Sequence, residues 1–149
     1  MKIPASDLIV NPSGSIYHLD LLPEEISDII LTGGDPDRVK KISKFFDKIE
    51  VKKQKREFIT HTGTYKGRRI TALSTGIGTD NIDIVLNELD ALVNIDLNRY
   101  EIRRPLKTLT VIRIGTAGSL QEDVPVDSLV FSTHGLGLDG LMNFYQKHR

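Results

Sequence analysis

Asp28-Ile29-Ile30-Leu31-Thr32-Gly33-Gly34-Asp35-Pro36-Asp37-Arg38-Val39 contains a whole strand-to-helix transition. Residues 28–32 form a short apolar run closed by two glycines, the pattern of a buried strand. Asp35 then suits an N-cap, Pro36 the first helical position, and Asp37 the positive end of the helix dipole. Val39, Ile42, Phe45 and Phe46 make an apolar stripe opposite Arg38, Lys40, Lys41 and Lys44, so a helix is expected over 35–46.

Working outward, the stretches 51–65 and 69–75 are rich in β-branched residues and flank Lys66-Gly67, which reads as a hairpin. After Gly76-Ile77-Gly78, residues Ile82, Val85, Leu86, Leu89, Leu92 and Val93 fall on one face of a helix over 80–93, with Asp80 as its expected N-cap. Residues 94–107 are a charged connection. The run 108–114 is nearly continuous in apolar and β-branched residues, as parallel strands covered on both faces are, and 129–133 reads as another strand. Strand and helix alternate, which predicts an α/β fold with a mixed central β-sheet.

The composition excludes several classes. The chain has 149 residues, 20 basic and 20 acidic side chains, 39% hydrophobic residues and no cysteine. Disulfide frameworks, thiolate metal sites and thiol nucleophiles are therefore ruled out. The N-terminus has no apolar signal segment and no apolar run spans a bilayer, so a cytoplasmic location without membrane contact is expected. The charge balance is uneven: residues 1–37 carry one base and seven acids, residues 38–69 twelve bases and three acids. This basic block reads either as solvated lysine or as part of an anion site. Nucleic-acid binding through it, with Phe45, Phe46, Phe58 and Tyr65 interleaved, is disfavoured, because the helix phenylalanines lie on its apolar stripe and no RNA-binding signature is present.

Three glycine-rich loops, 33–38, 76–79 and 115–119, each follow a predicted strand. Ligands in α/β sheets bind beyond the carboxyl ends of strands, where glycine permits close approach and free N–H groups attract anions. A dinucleotide fingerprint fails at Asn81, where a third glycine is required, and no Gly-Lys-Ser/Thr loop exists. There is no Gly-x-Ser-x-Gly elbow, and His18, His61, His134 and His148 lack ligand spacing. Arg113 interrupts an apolar strand. A buried guanidinium there calls for a structural ion pair or an anionic ligand at the strand end, and burial logic does not choose between them. Arg38 and Arg56 could join it around a dianion.

Gly34-Asp35-Pro36-Asp37-Arg38, Arg56-Glu57-Phe58, Ser74-Thr75-Gly76-Ile77-Gly78 and Arg113-Ile114-Gly115-Thr116-Ala117-Gly118 occur in an order and spacing that resembles the nucleoside phosphorylase family, most of all its uridine phosphorylase branch. The resemblance, over about Tyr17 to Gly140, implies a phosphorylase/hydrolase-like three-layer fold and cleavage of a nucleoside by phosphate to free base and ribose 1-phosphate. It implies that Gly34, Arg38, Arg113 and Thr116 hold the phosphate, with Arg56 reaching in from a neighbouring subunit. Arg38 and Arg113 then carry the catalysis, and hydrolytic relatives lack this arginine set. His18 matches a histidine that crosses a dimer interface toward the ribose 5′-hydroxyl. Glu57, Ile77 and Asn81 match a monovalent-cation (K+) site of some members, with Asn81 departing from the expected serine. No other cofactor is implied beyond phosphate as co-substrate. The implied assembly is a homo-oligomer built from dimers, up to a hexamer.

The family's base-reading residues and its Glu-Met-Glu-type ribose segment have no counterpart in this sequence. Two helices are also few to cover a sheet of five or more strands. Residues 1–149 are thus expected to be the N-terminal, phosphate-binding half of a phosphorylase domain, with an arm at 1–27 and an α/β portion at 28–149. The alternative is a non-catalytic phosphate- or nucleoside-binding or assembly module.

Overall fold

The computed structural model describes residues 2–145, so His148 lies outside the described residues. Contacts divide the chain into two units, Met1–Ile114 and Gly115–Arg149.

The first unit holds a five-stranded mixed sheet in the order β2-β3-β4-β1-β7. Strand β1 (Ile29–Gly33) leads directly into α1 (Pro36–Ser43), and the Asp35 carboxylate accepts the Asp37 N–H at 2.9 Å as the expected cap. The helix is shorter than the apolar stripe suggested. The Asp47 N–H donates to the Thr64 carbonyl at 2.7 Å, which draws the chain into the sheet before another turn can form. Phe45 consequently lies outside the helix and is 73% exposed, while Phe46 packs against Val39, Ile59 and Ala72.

The expected hairpin is a three-stranded meander of β2 (Lys48–Lys55), β3 (Phe58–Tyr65) and β4 (Arg68–Ser74). The long strand expected over 51–65 is broken at Arg56, which takes a left-handed backbone with φ 54°. Lys66 and Gly67, at φ 49° and 75°, supply the consecutive left-handed residues that a tight β-turn matched to strand twist requires. Gly63 stands opposite Ile49, where the pairing of β2 with β3 changes register between Ile49 and Val51.

Helix α2 (Thr79–Asn94) is capped by Gly78 rather than Asp80. Val85, Leu89 and Leu92 are buried as the periodicity predicts, but Leu86 is half exposed and Glu88 is buried among them. A two-stranded ribbon follows, β5 (Ile95–Asp96) with β6 (Glu101–Ile102).

The sheet separates two cores. On one side α1 covers Ile59 and Ala72. On the other, α2 and the N-terminal arm cover Ile30, Phe58 and Leu73, with Ile16, Leu19 and Leu21 of the arm almost fully buried. Each such side chain contributes about 1.5–3 kcal/mol by leaving water. Helix, sheet and helix-plus-arm give the expected three layers, and α1 and α2 remain the only helices longer than a single turn among the described residues.

Strand β7 (Thr110–Arg113) pairs only with β1, so it is the sheet edge. Its residues are exposed, among them Val111 at 39% and Ile112 at 49%. The expectation of a strand covered on both faces is therefore corrected: all four residues of β7 are exposed, and among the described residues its one strand neighbour is β1.

In the second unit, residues 115–145 form no strand, and the only regular element described is a single 3-10 turn at Leu141–Phe144. Leu129, Val130 and Phe131 are 83%, 70% and 81% exposed. The strand expected at 129–133 does not form, because a β-prone segment needs a partner to satisfy its backbone.

Candidate anion site at the carboxyl ends of three parallel strands

Strands β4, β1 and β7 lie side by side and parallel, with Gly33 in register with Ser74 and Thr32 with Arg113. Loops separated by some forty residues each are thereby brought to one edge of the sheet. A Cβ placed on Gly34 would lie 3.2 Å from the Gly76 carbonyl oxygen and 3.9 Å from Nη2 of Arg113. The backbone at 34, the backbone at 76 and the Arg113 guanidinium therefore meet at one point, where only a residue without a side chain fits comfortably.

Arg38 completes this corner. Its Nη1 donates to the Ile114 carbonyl at 2.9 Å, and its stem passes so close to Gly33 that a Cβ there would sit 3.1 Å from Arg38 Cδ. Capping by Asp35 sets the first turn of α1 so that Arg38 reaches over the end of β7. A guanidinium has five N–H donors, and one carbonyl uses one of them. Arg113 forms no hydrogen bond or ion pair among the described residues, and it is exposed. The expected burial does not hold, so no buried charge calls for neutralisation, and there is no structural ion pair among the described residues. Two cationic forks beside a glycine backbone are a geometry suited to a dianion.

The other expected residues lie on other elements of the chain. Arg56 is exposed at the β2–β3 turn and has no hydrogen bond or ion pair among the described residues. Thr116 belongs to the second unit and is exposed in irregular chain. Glu57 lies against Gly76: a Cβ on that glycine would be 2.8 Å from Glu57 Cγ and 2.7 Å from Asn81 Nδ2, and its φ of 67° also suits glycine. The Asn81 amide donates to Glu57 Oε1 at 2.9 Å. The Glu57 carboxyl is held below its ordinary range by its own backbone N–H first, then by Asn81, with Arg56 and His18 adding to the effect. The amide hydrogen thus stands where a cation would bind this carboxylate, and Ile77 is 93% exposed. With the Asn81 amide on the Glu57 carboxylate, these residues do not fit a cation.

His18 is held by a residue that the sequence reading did not single out. Its Nδ1 lies 2.7 Å from Glu88 Oε1, and its backbone N–H donates to the same carboxylate at 2.8 Å. The Leu19 N–H donates to Glu88 Oε2 at 2.8 Å. A signal for Glu88 existed: it stands three residues after Val85 and four before Leu92, on the face that the helical period buries.

A family model described as the phosphorylase superfamily matches residues 28–148. The uridine phosphorylase of Thermococcus kodakarensis is 33% identical over 132 residues, 89% of this chain and 43% of that protein. A DeoD-type purine nucleoside phosphorylase of Streptococcus suis is 39% identical over 116 residues, 77% of this chain and 44% of the relative. Among solved structures, a Trypanosoma brucei nucleoside phosphorylase reported to show uridine phosphorylase activity superposes with a TM-score of 0.74 at 41% identity, over 80% of this chain and 41% of its own. The chain spans less than half the length of each of these relatives.

Proposed function

Since the chain belongs to the phosphorylase superfamily, we propose that it forms the phosphate-binding half of a nucleoside phosphorylase, with uridine as the preferred nucleoside. The observation that carries this reading is the convergence of Gly34, Gly76, Arg38 and Arg113 at the ends of three parallel strands. In this reading the phosphate sits against the Gly34 backbone, between the Arg38 and Arg113 forks, with Arg56 arriving from a second copy.

The chemistry follows from charge. As the N-glycosidic bond breaks, its electron pair leaves with the base and positive charge grows on the sugar. A phosphate dianion held below C1′ stabilises that charge and then donates an oxygen lone pair to form the new C–O bond. No base is needed to activate a nucleophile that is already anionic, so positioning and electrostatics supply the rate enhancement. His18 of a second copy holds the ribose in this scheme, which makes an oligomer part of the working site.

The preference for uridine rests on the Thermococcus and Trypanosoma relatives, while the DeoD-type relatives keep purine nucleosides as the competing substrate class. A second reading, a non-catalytic phosphate-binding half-site, needs only the corner formed by Gly34, Arg38 and Arg113. Phosphate binding and phosphate-dependent release of uracil, measured side by side on the chain and on Arg113→Ala, separate the two. Both signals, each lost in the variant, support the enzyme; binding without release supports the half-site; no phosphate binding removes both readings.

A further inference from the structure

Glu88 is a buried carboxylate in the middle of α2, and its oxygens are aimed not at a lysine or arginine but at the chain around His18. An ionised carboxylate can only accept hydrogen bonds. Two backbone N–H groups, of His18 and Leu19, already point at it. The ring nitrogen 2.7 Å from Oε1 must then be a donor as well, because two acceptors at that distance would repel. A neutral imidazole that carries its proton on Nδ1 has a lone pair on Nε2. The ring is packed edge-on against Tyr17, with centroids 4.8 Å apart at 83°, and its side chain is 27% exposed. No partner for Nε2 occurs among the described residues.

We propose that Glu88 is a positioning residue that locks His18 in the Nδ1–H tautomer and so presents Nε2 as a hydrogen-bond acceptor for a sugar hydroxyl. This rests on the reading of His18 as a sugar contact given above, and adds to it the residue that sets its polarity. An acceptor selects a ligand that carries an O–H at that position over an analogue lacking it. The backbone bonds alone would staple the arm to α2 without touching the ring. The bond to Nδ1 is what a purely structural role does not need.

The test uses the whole chain with 15N-labelled histidine, at a pH of about 8 where an ordinary imidazole is neutral, with ribose 1-phosphate and 5-deoxyribose 1-phosphate as probes. In the wild type, the 15N shifts of His18 are expected to show a protonated Nδ1 and an unprotonated Nε2. The 5-hydroxyl should be worth about three- to tenfold in affinity, the range of one neutral hydrogen bond. Glu88→Gln, nearly isosteric, should lose the tautomer bias and most of that discrimination, while affinity for the 5-deoxy sugar stays unchanged. A wild-type ring protonated on Nε2, or a Glu88→Gln chain with both tautomer and discrimination intact, overturns the inference. His18→Ala separates the two levels. If it leaves discrimination unchanged, the sugar role of His18 fails and the functional part of the inference with it, whatever tautomer Glu88 imposes. If neither sugar phosphate binds, the phosphate reading fails, and the 15N spectra of wild type and Glu88→Gln still decide whether Glu88 sets the tautomer.

Discussion

Gly63→Ala tests how tightly the β2–β3 ladder is built. A Cβ at this position would lie 2.2 Å from the Lys48 carbonyl oxygen, 2.8 Å from Phe46 Cδ2 and 3.1 Å from Ile49 Cα. Even close carbon–oxygen contacts between strands stay near 3.3 Å. Strand β2 must therefore retreat by about 1 Å at its register shift, and Phe46 must leave the core beneath α1. Overpacking a core typically costs about 1–3 kcal/mol, and here a backbone atom rather than a side-chain tip is in the way, so about 3 kcal/mol or more is expected. With a urea m-value of about 1–3 kcal/mol/M, the unfolding midpoint should fall by about 1 M or more. Gly67→Ala is the control, since φ there is 75° but nothing lies within 4 Å of the new carbon. It should cost only the left-handed penalty, about 1 kcal/mol. A Gly63→Ala midpoint close to wild type, or a smaller loss than in Gly67→Ala, would refute the packing argument.

Two other perturbations follow from the same geometry. His61 Nδ1 is 2.7 Å from Ser43 Oγ, and burial, followed by the charges of Lys52 and Lys40, lowers its pKa below the ordinary 6.5. The unfolded chain therefore takes up this proton first, so the contribution of His61 to stability is intact above about pH 6.5 and is lost as pH falls through the folded-state value. Melting temperature should drop more between pH 8 and 5 in the wild type than in His61→Gln, and parallel curves would contradict this. Arg56→Gly relieves a left-handed non-glycine backbone and should leave the fold as stable or up to about 1 kcal/mol more stable. In the proposed oligomer the same change should weaken phosphate binding about tenfold or more, as loss of a charge-assisted hydrogen bond does. Lower stability with unchanged phosphate affinity would reverse both assignments.

The β1–α1 transition was legible because every determinant is local: an apolar run, two glycines, a capping aspartate and a proline within twelve residues. The same holds for α2, whose period shows where it is buried. What depends on neighbours was not legible. The residues of β7 look like those of a central strand, yet its position is decided by whether anything pairs beyond it, so Arg113 was expected in a core and stands at an exposed edge. The Leu129–Thr133 segment fails for the same reason. The break at Arg56 has no local signal, because an arginine carries no mark of a left-handed backbone. Glycine loops at strand ends signal the convergence of Gly34, Arg38 and Arg113, whereas Glu88 is an acid inside an apolar stripe, and its partner at His18 lies seventy residues away.

Strand β1 lies between two strands that come later in the chain: β4 ends at Ser74 and β7 at Arg113, eighty residues after Gly33. During synthesis at about 5–20 residues per second, one edge of β1 waits about 4–16 s for its second partner. Among these five strands the anion corner is therefore the last part to be assembled, because Arg113 arrives on β7. Through that interval Ile29, Ile30 and Leu31 offer an unpaired apolar edge to any extended segment nearby. The arrangement that gathers three distant loops around one anion also leaves one edge of the first strand open until its site exists.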